Sequence, residues 1–175
     1  MRRLLIASAF ALAATAVHAQ SVGEKSGLNA VVGVAPSTQD FVTEAAASDM
    51  FEIQSSQLAQ NKGDAAAKTF AAKMIEDHTK TMNEMKSMVQ SGKVKATIPS
   101  AMSSSQKSML DKLNGLNGDD FNKQYKSDQV SAHKDAVSLF ERYAKGGENA
   151  DLKAWTAKTV PDLRMHLQMA QDNNK

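Results

Sequence analysis

Three histidines and a glutamate are the residues best placed to do chemistry. The 175-residue chain has four histidines, His18, His78, His133 and His166. The last three fall where an apolar stripe would otherwise continue. "FAAKMIEDHTKTMNEM", residues 70 to 85, steps through Phe70, Met74, His78, Met82 and Met85. His133 is in register with Val130, Val137, Phe140 and Ala144, and His166 with Leu163 and Ala170. Glu52 shares a face with Phe41, Ala45, Ser48, Ser55 and Ala59, mostly small residues that leave it room. Positions three and four apart lie on one side of a helix, so all four polar groups point toward a core.

Buried imidazoles and a carboxylate have three uses. They hold a metal ion, they titrate as a switch near neutral pH, or they form a hydrogen-bond network that fixes helix register. For a metal, the type is constrained. A di-iron bundle site needs Glu-x-x-His on two helices, and the residues three before the histidines are Ile75, Val130 and Leu163. Ferroxidase and di-iron oxygenase chemistry is therefore disfavoured, and an enzyme is the weaker expectation. Glu52, His78, His133 and His166 together suit one Zn, Cu, Mn or Fe ion, with Asp77 and Asp162 orienting the rings from behind. Met74, Met82, Met85, Met88, Met165 and Met169 would suit Cu(I), but core filling is the commoner use of methionine.

Positioning these groups takes four long helices. Ser37 or Thr38 caps the first, which runs to Asn61-Lys62-Gly63; Asp64 caps the second, which ends at Ser91-Gly92. Ser103 with Gln106 caps a short helix that ends at Gly115 and Gly118. A third long helix spans about Asp119 to Lys145, and a fourth starts near Asn149. Pro161 should kink the fourth, with Thr159 as a new cap. Nothing alternates with period two for long enough to argue a strand. The expected fold is all-α, a ferritin-like four-helix bundle whose long connection between helices two and three carries the short helix.

Heights follow from the rise of 1.5 Å per residue. Glu52 lies about 16 Å and His78 about 22 Å from the Gly63 turn, while His133 and His166 lie about 22 and 28 Å from the Gly146-Gly147 turn. Helical side chains lean toward the N-terminus, which closes both gaps near mid-bundle.

The ends and composition set the compartment. Arg2 and Arg3, the apolar run Leu4 to Val17 and the small-residue site ending at Ala19 read as a signal peptide over 1–19, cleaved after Ala19. Residues 20–37, with Gly23, Gly27, Gly33 and Pro36, read as a flexible leader, and 38–175 as the bundle domain. Without Arg2 and Arg3 the chain carries 19 basic and 19 acidic residues, so nucleic acid has no electrostatic support as a partner. No further segment is apolar and long enough to span a bilayer. There is no cysteine, which excludes thiolate sites and thiol redox chemistry. Phosphate loops, His-Glu-x-x-His and nucleophile elbows are also missing. The chain reads as a periplasmic protein, a monomer or small homo-oligomer.

Four blocks, "DFVTEAAASDMFEI", "FAAKMIEDHTKTMNEM", "FNKQYKSDQVSAHKDAVSLFE" and "VPDLRMHLQMA", in this order and spacing, resemble the exported bacterial domain-of-unknown-function 4142 family. Its members are often labelled outer-membrane proteins. The resemblance implies a ferritin-like bundle and covers about residues 38 to 172. The pattern falls on Glu52, Asp77, His78, His133, Pro161 and His166, with Asn122 where an acidic residue is common. It implies no activity. The functional expectation is binding of one transition-metal ion in envelope homeostasis or stress response. Its alternative is a non-catalytic interaction or stress-adaptor protein whose Glu/His cluster is a structural network.

Overall fold

A computed structural model describes residues 28–173; the signal-peptide reading of 1–19 lies outside them. The described residues form six helices and no strand: α1 (Leu28–Val32), α2 (Thr38–Lys62), α3 (Ala65–Gln90), α4 (Ser104–Asn114), α5 (Gly118–Gly146) and α6 (Ala150–Asn173). No helix among them is long and apolar enough to cross a membrane.

The helix starts are set by short polar side chains that accept from otherwise unpaired N–H groups. Ser37 accepts from the Asp40 amide at 3.1 Å, Asp64 from Ala67 at 2.7 Å and Asn149 from Leu152 at 2.9 Å. Ser103 and Gln106 close a reciprocal capping box. At the α2–α3 turn glycine is needed for space. A Cβ on Gly63 would stand 2.6 Å from the Ala59 carbonyl oxygen and 2.9 Å from the Ala67 Cβ.

Side-chain bonds give the topology. Thr38 meets the Tyr143 hydroxyl at 2.7 Å and Ser56 meets that of Tyr125 at 2.9 Å, so α2 and α5 run antiparallel. His166 meets Asp77 at 2.7 Å and Trp155 meets Glu84 at 2.7 Å, so α3 and α6 do too. Both hairpins, α2–α3 and α5–α6, are also antiparallel. It follows that α3 and α5 are parallel, and residues 91–117 must travel the length of the bundle. That is the ferritin-like connection. Gln39 ties its beginning to α2 through both Thr97 backbone groups, at 2.8 and 2.9 Å. α4 packs on α2 and α5 and buries Leu113 at the far end.

Two points differ from the sequence expectation. The stretch read as leader contains α1. And α6 is one helix through Pro161: the Thr159 hydroxyl donates to the Trp155 carbonyl at 2.9 Å instead of capping a new segment.

The core is divided. One apolar cluster gathers Phe41, Val42, Met82, Met85, Leu139, Phe140, Tyr143 and Leu152; the other gathers Ala59, Phe70, Met74, Leu113, Phe121 and Tyr125. The buried methionines of α3 belong to these clusters. Between them lies a layer of buried polar groups: Asp49, Glu52, Ser55, His78, Gln129, His133 and His166.

Candidate metal centre

Each histidine enters this layer from a different helix, His78 from α3, His133 from α5 and His166 from α6. All three are at most 3% exposed. Their ring centroids are 5.4, 5.6 and 5.5 Å apart. One ring nitrogen of each lies within 4.8 Å of those of the other two.

Each ring is fixed by an oxygen on one nitrogen. His78 Nδ1 is 2.8 Å from Asp49 Oδ1, and His133 Nδ1 donates to the Gln129 carbonyl at 2.8 Å. His166 Nε2 is 2.7 Å from Asp77 Oδ2, which also receives Lys73 Nζ at 2.7 Å. Such acceptors select the tautomer and turn the opposite nitrogen inward. Three nitrogens are then held by no oxygen: Nε2 of His78, Nε2 of His133 and Nδ1 of His166. The first two are 3.4 Å apart, and the third is buried without a protein partner. With both Nδ1 atoms protonated, two neutral rings would set lone pair against lone pair across those 3.4 Å. A proton or a cation between them removes the conflict.

The electrostatics keep a proton on the Asp49–His78 pair and hold the other two rings neutral. Burial pulls the His78 imidazole down, but the bond to Asp49 and that group's charge outweigh it and hold it above the usual value. Burial pushes Asp49 up despite His78, so both shifts keep a proton on the pair. His133 is held down to about 3 by burial and by the His78 charge. His166 is lowered by the same two causes. For Asp77, partial burial pushes upward, but the bonds from Lys73 and His166 hold it below the usual carboxylate value.

Glu52 is placed differently from the histidines. It is 1% exposed, and neither carboxylate oxygen has a partner at hydrogen-bond distance. Its Oε1 is 3.8 Å from His133 Nδ1, the nitrogen already given to Gln129. It therefore stands behind His133, beside the three-nitrogen cluster instead of within it. Burial lifts its carboxyl to about 7, against a downward pull from the His78 charge. Asp162 is exposed and lines a small cavity with Asp77 and His166.

Sequence reasoning missed Asp49. Its signal was available: Asp49 and His78 stand nearly level, roughly 21–22 Å either side of Gly63 at 1.5 Å per residue. Glu52 is about one turn nearer the Gly63 turn, which puts it level with α5 residues instead.

Residues 24–172 match the family model described as "Domain of unknown function (DUF4142)". No curated protein matches the sequence. Among solved structures, CopM in the Cu(II)-bound form is similar with a TM-score of 0.67 at 16% identity, covering 81% of this chain and 97% of that one. At that identity the likeness concerns the fold.

Proposed function

The chain belongs to this family, DUF4142, and we propose that it is an exported, periplasmic bundle protein that binds one transition-metal ion through His78, His133 and His166, in envelope homeostasis or stress response. The observation that carries this reading is the arrangement of the three rings. Each is pinned through one nitrogen, by Asp49, the Gln129 carbonyl or Asp77, which leaves the other nitrogen free. Nitrogens bound at about 2.0–2.1 Å to a tetrahedral ion lie about 3.3 Å apart. His78 and His133 already meet that spacing at 3.4 Å.

The chemistry of the set narrows the ion. Three imidazoles without thiolate suit copper or zinc better than manganese. The fold shared with CopM, solved with Cu(II), makes copper the first ion to try. The Glu52 carboxylate behind His133 would offset the ion's charge. Asp77 and Asp49 make the ring nitrogens opposite them better donors.

The alternative is a non-catalytic interaction or stress-adaptor protein with the cluster as a structural network. A network kept for stability should satisfy its own members. Here Asp49 Oδ2 and His166 Nδ1 are buried without hydrogen-bond partners, which favours the metal reading. Calorimetric titration of chelator-stripped protein with Cu(II) and Zn(II) tests it. One site per chain, lost in His133→Ala, is expected; silence with every metal sinks the proposal. Stoichiometric metal in protein purified from periplasm would count against the alternative.

A further inference from the structure

A cation bound among three residues at most 3% exposed needs a way in. Between α3 and α6 there is a cavity of about 50 Å³, the scale of one water molecule or ion. Its wall includes two of the histidines, His78 and His166, and the carboxylates Asp77, Glu84 and Asp162, against one cation, Lys80. Asp162 and Lys80 are exposed, while His166 is 2% exposed with its Nδ1 unpartnered. The cavity thus joins solvent-facing acidic groups to a buried ring with a free nitrogen. A larger cavity, about 510 Å³, lies between α2, α5 and the crossover; Phe51, Met109, Asp135 and Leu139 line it, and no histidine does.

We infer that the α3–α6 cavity is the portal by which a transition-metal cation reaches the histidine cluster, with Asp162 at its mouth drawing the cation in. The inference rests on the metal-binding reading and deepens it. Deeper in the wall, Asp77 Oδ2 holds both Lys73 Nζ and His166 Nε2, each at 2.7 Å, and so keeps the ring turned with Nδ1 toward the cluster. His166 stays attached to the carboxylate that orients it. Pro161, next to Asp162, lacks an N–H and so leaves the Ala157 carbonyl without its helical donor.

Uptake rate tests this separately from binding itself. Trp155, the single tryptophan, donates to Glu84 of the cavity wall at 2.7 Å, so Cu(II) passing the portal should quench its fluorescence. Stopped-flow mixing of metal-free protein with Cu(II) would compare wild type, Asp162→Lys and Asp135→Lys. The last makes the same charge change at the larger cavity. A focused acidic mouth raises on-rates by at least about tenfold. Asp162→Lys should therefore load about tenfold slower at low salt, with the difference shrinking in 0.5 M salt and the final stoichiometry unchanged. Asp135→Lys should load like wild type. Equal rates for wild type and Asp162→Lys, or equal slowing in both variants, overturn the portal. A wild-type chain that takes up no Cu(II) overturns the metal site itself, and the portal falls with it.

Discussion

Asp49 Oδ1 and His78 Nδ1 face each other across the α2–α3 hairpin at 2.8 Å, both side chains less than a tenth exposed. Thr81 adds a second donor to the same oxygen at 3.3 Å. The carboxylate therefore holds the His78 proton on Nδ1 and turns Nε2 toward His133. In the proposed metal site this contact would present His78 Nε2 to the ion and give Asp49 an orienting role.

Replacing that orienting carboxylate by a neutral amide should weaken the site without abolishing it. Losing a carboxylate behind a ligating histidine typically costs 10–100-fold in metal affinity. Asp49→Asn is expected to lower Cu(II) or Zn(II) affinity about that much in a chelator-competition titration, with one site per chain retained. Unchanged affinity would remove Asp49 from the site's support.

Metal should also stabilise the fold, because the cluster joins α3, α5 and α6 and exists only when they are packed. At a hundredfold excess over Kd, ligand binding adds about 2.7 kcal/mol. A chain of this size shifts by about 2–4 °C per kcal/mol, so Tm should rise about 5–10 °C. Differential scanning fluorimetry with and without Cu(II) measures it. His133→Ala should show no rise, and a rise persisting in that variant would place the ion elsewhere.

Two groups of the polar layer contribute to the pH dependence of the metal-free protein with opposite signs. Glu52 is raised from 4.5 to about 7, so across that window the folded chain keeps a proton the unfolded chain has released. Its contribution is fully present below pH 4.5 and is lost as pH rises to about 7. His133 is lowered from 6.5 to about 3, so its burial costs stability in acid and the cost fades as pH rises through that range. Between pH 4.5 and 6.5 the two nearly cancel. Glu52→Gln removes only the first. Relative to wild type it should gain about 3 kcal/mol between pH 4 and pH 8, at about 1.36 kcal/mol per pH unit. Urea denaturation at both pH values reads this directly; a constant difference would mean that Glu52 ionises freely in the folded chain.

Helix ends were legible because their signals are local. Ser37, Asp64 and Ser103 cap where their side chains can reach an N–H three residues on, whatever packs nearby. The convergence of His78, His133 and His166 was legible because single apolar stripes place them on α3, α5 and α6. α2 was harder. It is covered by α3, α5 and α4, so Val42, Ala46, Asp49 and Phe51 are buried beside the stripe through Ala45 and Glu52. With so wide a buried face, periodicity does not single out Asp49. The position of Glu52 behind His133 depends on how α2 sits against α5, which no count along one hairpin contains.

The Asp49–His78 pair also separates function from stability. A buried ion pair is weak support for a fold: replacing both partners by apolar groups is often neutral or stabilising by about 1–4 kcal/mol, whereas removing one costs about 3–5 kcal/mol. His78→Leu alone leaves Asp49 buried opposite a hydrocarbon and should be destabilised by roughly that amount. Asp49→Val/His78→Leu joins the layer to the apolar clusters on either side, around Met82 and Met74. In urea denaturation of metal-free protein, the double variant should match or exceed wild-type stability while binding no Cu(II). That result would mean the pair is kept for what it binds. A double variant as unstable as His78→Leu would mean that the polar layer holds the helices in register, and the stress-adaptor reading would then gain what the metal reading loses.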